Sequence, residues 1–199
     1  MDCVLIYKKL KESQYNHINT AYDLKKAILD TISEDIRIWV EQEGAYKIIN
    51  SDEYKIISAS STSSNPKSLF ETLIQKTIIP QFTLSLTKRG LRPNEVQIRR
   101  EEQLLDDQRT DFTVSYGFVG NVLIEIKLTK NDEVKSPKAR EAYKNKLIKY
   151  VEGTNSDYGI FLIFQIDSKN SLELLIPEIE NLYDDVVNID IVGVDCTKG

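Results

Sequence analysis

Histidine is nearly missing from this 199-residue chain: His17 is the single one, beside two cysteines, one tryptophan and one methionine. That scarcity excludes His–Cys zinc sites, HExxH proteases, histidine-centred metal nucleases and the Ser-His-Asp triad. His17 alone reads as a surface residue. Cys3 and Cys196 lie near opposite ends, so no disulfide framework is encoded and a reducing, cytoplasmic setting is expected. No run of about 18 apolar residues occurs, and mean hydropathy is −0.34. The opening Met1-Asp2-Cys3-Val4-Leu5-Ile6 lacks a basic start, so neither a membrane span nor a signal peptide is expected. Catalysis, if there is any, must run on carboxylates, lysine, hydroxyls or a bound hard metal ion.

The net charge of −5 hides an asymmetry. Residues 67–152 hold 16 basic and 12 acidic side chains, a net +4, which leaves −9 for the rest. A basic middle in an acidic chain points to a polyanionic partner; scatter over solvated faces is the plain alternative.

Apolar residues Leu24, Ile28, Ile32, Ile36, Trp39 and Val40 share one stripe, which predicts a helix over 23–44 with Gly44 as its stop. Two short strands are expected over 45–50 and 54–58. The Ser-rich stretch 58–66 is the best boundary, with an N-terminal helix-and-hairpin unit over 1–60 and the main domain over 61–199. A helix over 67–88 should break or kink at Pro80. Strands follow over 95–104, 109–116 and 122–128, the last two joined by a hairpin at Gly117-Phe118-Val119-Gly120-Asn121. Residues 137–151 read as a helix whose inward stripe is Ala139, Ala142, Tyr143, Leu147, Tyr150 and Val151. Residues 158–166 are apolar almost throughout, as in a strand covered on both faces. A helix over 172–183, interrupted or started by Pro177, and a strand over 186–194 complete the order. The fold class is α/β, with a mixed central sheet and helices on both faces.

Glu125 and Lys127 are two apart on an apolar strand and therefore share a face, opposite Val122, Ile124, Ile126 and Leu128. Charge on such a strand needs a reason, because burying it unpaired is expensive. Asp111 opens the preceding strand, so two carboxylates converge beside one lysine. Asp111 and Glu125 suit Mg²⁺ or Mn²⁺, hard ions that prefer oxygen ligands, and the Ile126 carbonyl lies between the two side chains as a further ligand. Such an ion polarises a phosphoryl oxygen and acidifies water, while Lys127 positions that water or stabilises the phosphorane charge. The bland alternative is a Glu125–Lys127 salt bridge, with Asp111 a turn residue.

Thr110-Asp111 with Glu125-Ile126-Lys127 resembles the PD-(D/E)XK signature of the restriction-endonuclease-like nuclease superfamily. The element order over residues 67–165 is similar to that superfamily's αβββαβ core. More narrowly, the chain is similar to nuclease domains of bacterial multidomain defence proteins. The matching pieces are Pro66 to Glu71, Arg100-Glu101, Arg109-Thr110-Asp111, Ile124 to Lys127, Lys146-Leu147 with Lys149-Tyr150, and Gly159 to Ile163. Thr110 stands where the motif name has proline, and Lys146 where the family has glutamine. The resemblance implies a Mg²⁺- or Mn²⁺-dependent endodeoxyribonuclease that acts against foreign DNA, with Asp111, Glu125 and Lys127 catalytic. It implies a metal held by Asp111, Glu125, Ile126 and Glu71. Glu71 is equally placed to close a capping box with Ser68, and Glu101 either faces the site or is ordinary strand charge. Arg100, Arg109, Lys130, Lys146 and Lys149 are the candidates for phosphate contact.

Two rival readings stay open: a catalytically idle nucleic-acid-binding or assembly module, and a ribonuclease on the same scaffold. Net acidity implies weak intrinsic affinity for DNA, so a second domain, a dimer partner or a larger parent protein is expected to deliver the substrate.

Overall fold

The computed structural model describes residues 18–42, 78–100, 110–166, 168 and 170–197. Five strands form one mixed sheet: β1 (Val96–Arg100), β2 (Phe112–Tyr116), β3 (Gly120–Leu128), β4 (Tyr158–Gln165) and β5 (Ile189–Asp195). They lie side by side in chain order. β1, β2 and β3 pair antiparallel, whereas β3, β4 and β5 pair parallel. The switch follows from the connections. β2 turns directly into β3 at Gly117, whose φ of 51° suits a residue without a Cβ, and the Val119 N–H closes the turn on the Tyr116 carbonyl at 2.9 Å. Each parallel step instead crosses over through helix. Gly120 marks a close approach, since a Cβ there would lie 2.5 Å from Ala21 Cβ.

Helices cover both faces. On one lie α1 (Ala21–Asp30), a π-helical stretch (Thr31–Ile36), α2 (Arg37–Gln42) and α3 over residues 78–88. Thr20 starts α1 with a reciprocal capping box to Asp23. Leu24, Ile28, Ile32, Ile36 and Val40 recur every fourth residue and are all fully buried. An α-helix of 3.6 residues per turn would rotate that repeat off the face. The wider π stretch, in which the Arg37 N–H reaches back to the Ile32 carbonyl, brings it round again. Arg89, beyond the end of α3, holds this stretch from outside through Asp35 at 2.7 Å and Glu34 at 3.1 Å. Together with Phe82 and Leu86, the stripe packs on Val122, Ile124, Ile126 and Leu128 of β3.

On the other face lie α4 (Asp132–Lys135), α5 (Pro137–Gly153) and α6 (Leu172–Leu182). Tyr143, Leu147, Tyr150 and Val151 of α5 and Ile179 of α6 pack against Leu123, Phe161 and Ile163. Phe161 and Phe164 are core residues on opposite faces of β4.

Several expectations need revision. The first helix is no part of a separate N-terminal unit: it shares one core with β2, β3 and β4. Residues 78–88, Pro80 among them, are helical, and the earlier part of the helix expected over 67–88 lies outside the described residues. α6 runs unbroken across Pro177, because burial of Leu175 and Ile179 outweighs the lost hydrogen bond. Ala142 is exposed, and Arg140 and Lys144 take places on the buried side of α5. The hairpin expected over 45–58, the Ser-rich stretch and the 60/61 boundary lie outside the described residues. Among the described residues, no helix is long and apolar enough to cross a membrane.

Candidate active site

Pairing of Phe112 with Ile124 sets Asp111, one step earlier, opposite Glu125. The two residues clasp each other's strands. The Asp111 N–H donates to Glu125 Oε1 at 2.9 Å, and the Ile126 N–H donates to Asp111 Oδ2 at 2.6 Å. Lys127, half-buried, donates from Nζ to the Ile126 carbonyl at 3.1 Å. The expected trio is therefore gathered on one patch, on the face covered by α5.

Glu125 is 2% exposed. Burial, and then the neighbouring Asp111 carboxylate, push its pKa from 4.5 up to about 8, against the pull of Lys127, the Asp111 N–H and Tyr143. One ammonium thus leaves the carboxylate pair short of positive charge. Two carboxylates and a backbone carbonyl make an all-oxygen donor set, which fits a hard divalent cation. Among the described residues, no group of three or more acidic, histidine or cysteine side chains gathers around one point. Any ion here would rest on Asp111, Glu125 and the Ile126 carbonyl, with Glu71 outside the described residues.

The sequence reading placed Tyr143 in the α5 stripe as packing only. Its hydroxyl donates to Glu125 Oε2 at 2.9 Å. Its ring centroid lies 5.5 Å from Lys127 Nζ. The phenol's own pKa is raised well above its ordinary value, by burial first and then by Glu125 and Asp111. Eighteen residues separate Tyr143 from Glu125, so no local spacing could announce the contact.

The basic candidates are spread out. Arg100 is exposed at the end of edge strand β1, paired with Phe112. Lys130 is half-buried in the turn after β3. Lys146 and Lys149 are exposed on α5, and Lys146 sits 5.2 Å from the Tyr150 ring. Arg109 and Glu101 lie outside the described residues. A separate cavity of about 500 Å³ opens between α5 and α6 beside Arg140, Lys144, Glu178 and Asp185, and none of the trio lines it.

A family model for a domain of unknown function, DUF8371, matches residues 24–168, from within α1 through β4, and takes in the whole trio. No curated protein and no solved structure matches the chain.

Proposed function

Because the chain belongs to the DUF8371 family, a domain of unknown function, its activity must be read from its own residues, and we propose that it is a metal-dependent nuclease with a restriction-endonuclease-like core. The observation that carries this reading is the reciprocal clasp of Asp111 and Glu125 on a strand that also presents Lys127. The strand order, antiparallel through β1–β3 and parallel through β3–β5, supports it. DNA is the proposed substrate, and defence against foreign DNA in the cytoplasm the proposed setting. A homodimer or the further domains of a larger protein would deliver the substrate.

Asp111, Glu125 and the Ile126 carbonyl would hold Mg²⁺ or Mn²⁺. The ion, when bound, supplies polarisation of the scissile phosphate and acidification of water. The chain's own groups do the rest. The clasp fixes both carboxylates on adjacent strands, so their orientation does not depend on a mobile loop. Lys127 keeps an ammonium beside them, where it would orient water and offset the negative charge that grows on the phosphoryl oxygens in the transition state. The α5 layer keeps bulk water from Glu125, which strengthens each of these interactions. Arg100, Arg109, Lys130, Lys146 and Lys149 would contact the phosphate backbone.

Plasmid and linear DNA incubated with the chain in Mg²⁺, Mn²⁺ or EDTA tests the proposal. Cleavage is expected with either ion and not with EDTA. Asp111→Asn and Lys127→Ala should each lower the rate by about 100-fold or more while the fold persists. Undiminished cleavage by both variants removes the assignment. Retained nucleic-acid binding without turnover favours the idle module, and turnover of RNA alone favours a ribonuclease.

A further inference from the structure

Resting on the nuclease reading of this site, we infer that Tyr143 is its positioning residue, the group on α5 that sets the Glu125 carboxylate for a divalent cation. Among the described residues Glu125 accepts from two donors, one on each oxygen: the Asp111 N–H on Oε1 and the Tyr143 hydroxyl on Oε2. A carboxylate offers about four lone-pair positions, so this pair fixes the plane of the group and still leaves each oxygen able to accept once more. The Asp111 donor belongs to the neighbouring strand. Tyr143 belongs to the helix layer, so its hydroxyl is the tie between that layer and the carboxylates.

The same side chain addresses the lysine. Lys127 Nζ lies 5.5 Å from the Tyr143 ring centroid, within range of a cation–π attraction. Tyr143 packs against Phe161 of β4, whose ring centroid is 5.1 Å away. One buried side chain therefore contacts Glu125 and Lys127 together. Partners of this kind behind metal-ligating side chains typically change metal affinity 10- to 100-fold when removed.

Tyr143→Phe separates the two contacts, since it deletes the hydroxyl and keeps the ring. The experiment is a calorimetric titration of the full 199-residue chain with Mn²⁺, with circular dichroism on each variant. Tyr143→Phe should stay folded and bind Mn²⁺ about 10- to 100-fold more weakly than the wild type. Phe161→Leu, which loosens the same packing without removing a donor, should bind as the wild type does. Equal affinity of the wild type and Tyr143→Phe overturns the positioning role and leaves the nuclease reading standing. An equal loss in Phe161→Leu also overturns it, since loosened packing then accounts for the effect. A wild-type chain that binds no Mn²⁺ brings down the nuclease reading and this inference together.

Discussion

Toward α1–α3, strand β3 presents Val122, Ile124, Ile126 and Leu128, all fully buried among apolar side chains. Toward α4–α6 it presents Leu123, then Glu125 and Lys127, with a tyrosine hydroxyl and a second carboxylate drawn in around them. The first face needs no account beyond the hydrophobic effect. The second does, because an ionised carboxylate under a helix costs stability that apolar side chains of similar volume would not. Arrangements that work against stability concentrate at functional sites, which is why the second face, and not the better-packed first, carries the functional proposal.

Adjacent substitutions on the one strand sharpen the contrast. Ile124→Ala should have the larger effect on stability, about 2–5 kcal/mol lost in urea unfolding, through lost burial and the cavity left behind. Its binding of Mn²⁺ should be unchanged while it remains folded. A variant that loses metal binding as well would mean that the two faces are coupled, and the comparison would break.

Glu125→Gln should act in the opposite sense at neutral and alkaline pH. The folded-state pKa of Glu125, about 8, lies above its ordinary 4.5. The folded chain therefore holds the proton that the unfolded chain releases between those values, and stability falls as pH rises through the window. The loss is about 1.4 kcal/mol for each unit of difference between the two states. Glutamine keeps the shape, accepts from the Asp111 N–H and donates to the Tyr143 hydroxyl. Its unfolding free energy in EDTA should lack this slope, so that it exceeds the wild type's at pH 8 while cleavage is lost. Parallel pH–stability curves for the two proteins would show that Glu125 ionises in the folded chain as it does in the unfolded one.

The apolar face was legible from spacing alone, because alternation along β3 and the four-residue repeat of the first helix are local signals. Two carboxylates and a lysine could be seen to converge, because a tight hairpin fixes which residues of β2 and β3 are opposite. Tyr143, Arg140 and Lys144 were not legible as polar ties. Their partners lie on other elements: Glu125 on β3 for Tyr143, Glu178 on α6 for Arg140, and Asp185 beyond α6 for Lys144. Arg140 and Lys144 stand at stripe spacing from Tyr143 and Leu147, but their charge argues for solvent, and only backbone carbonyls at the ends of α4 and α6 hold both inward. α4, four residues long, is too short for any periodicity to show. The union of the first helix with the sheet was hidden for a related reason: a Ser-rich stretch of sequence says nothing about where the elements on either side of it dock.

Arg140 gives the smallest effect and tests the helix layer itself. Its guanidinium is buried, donates to the Val134 and Lys135 carbonyls, and meets the exposed Glu178 carboxylate at 2.6 Å. Glu178→Ala removes one exposed partner and leaves both carbonyls in place, so the loss should be no more than about 1 kcal/mol. Arg140→Ala strips the carbonyls of their donor as well and should cost more, about 1–3 kcal/mol. If the guanidinium's role is to fasten α4 and α6 to α5, neither variant should alter Mn²⁺ affinity, since its hydrogen bonds run to the Val134 and Lys135 carbonyls and to Glu178. A Glu178→Ala loss as large as that of Arg140→Ala would shift the tie from the backbone carbonyls to the ion pair.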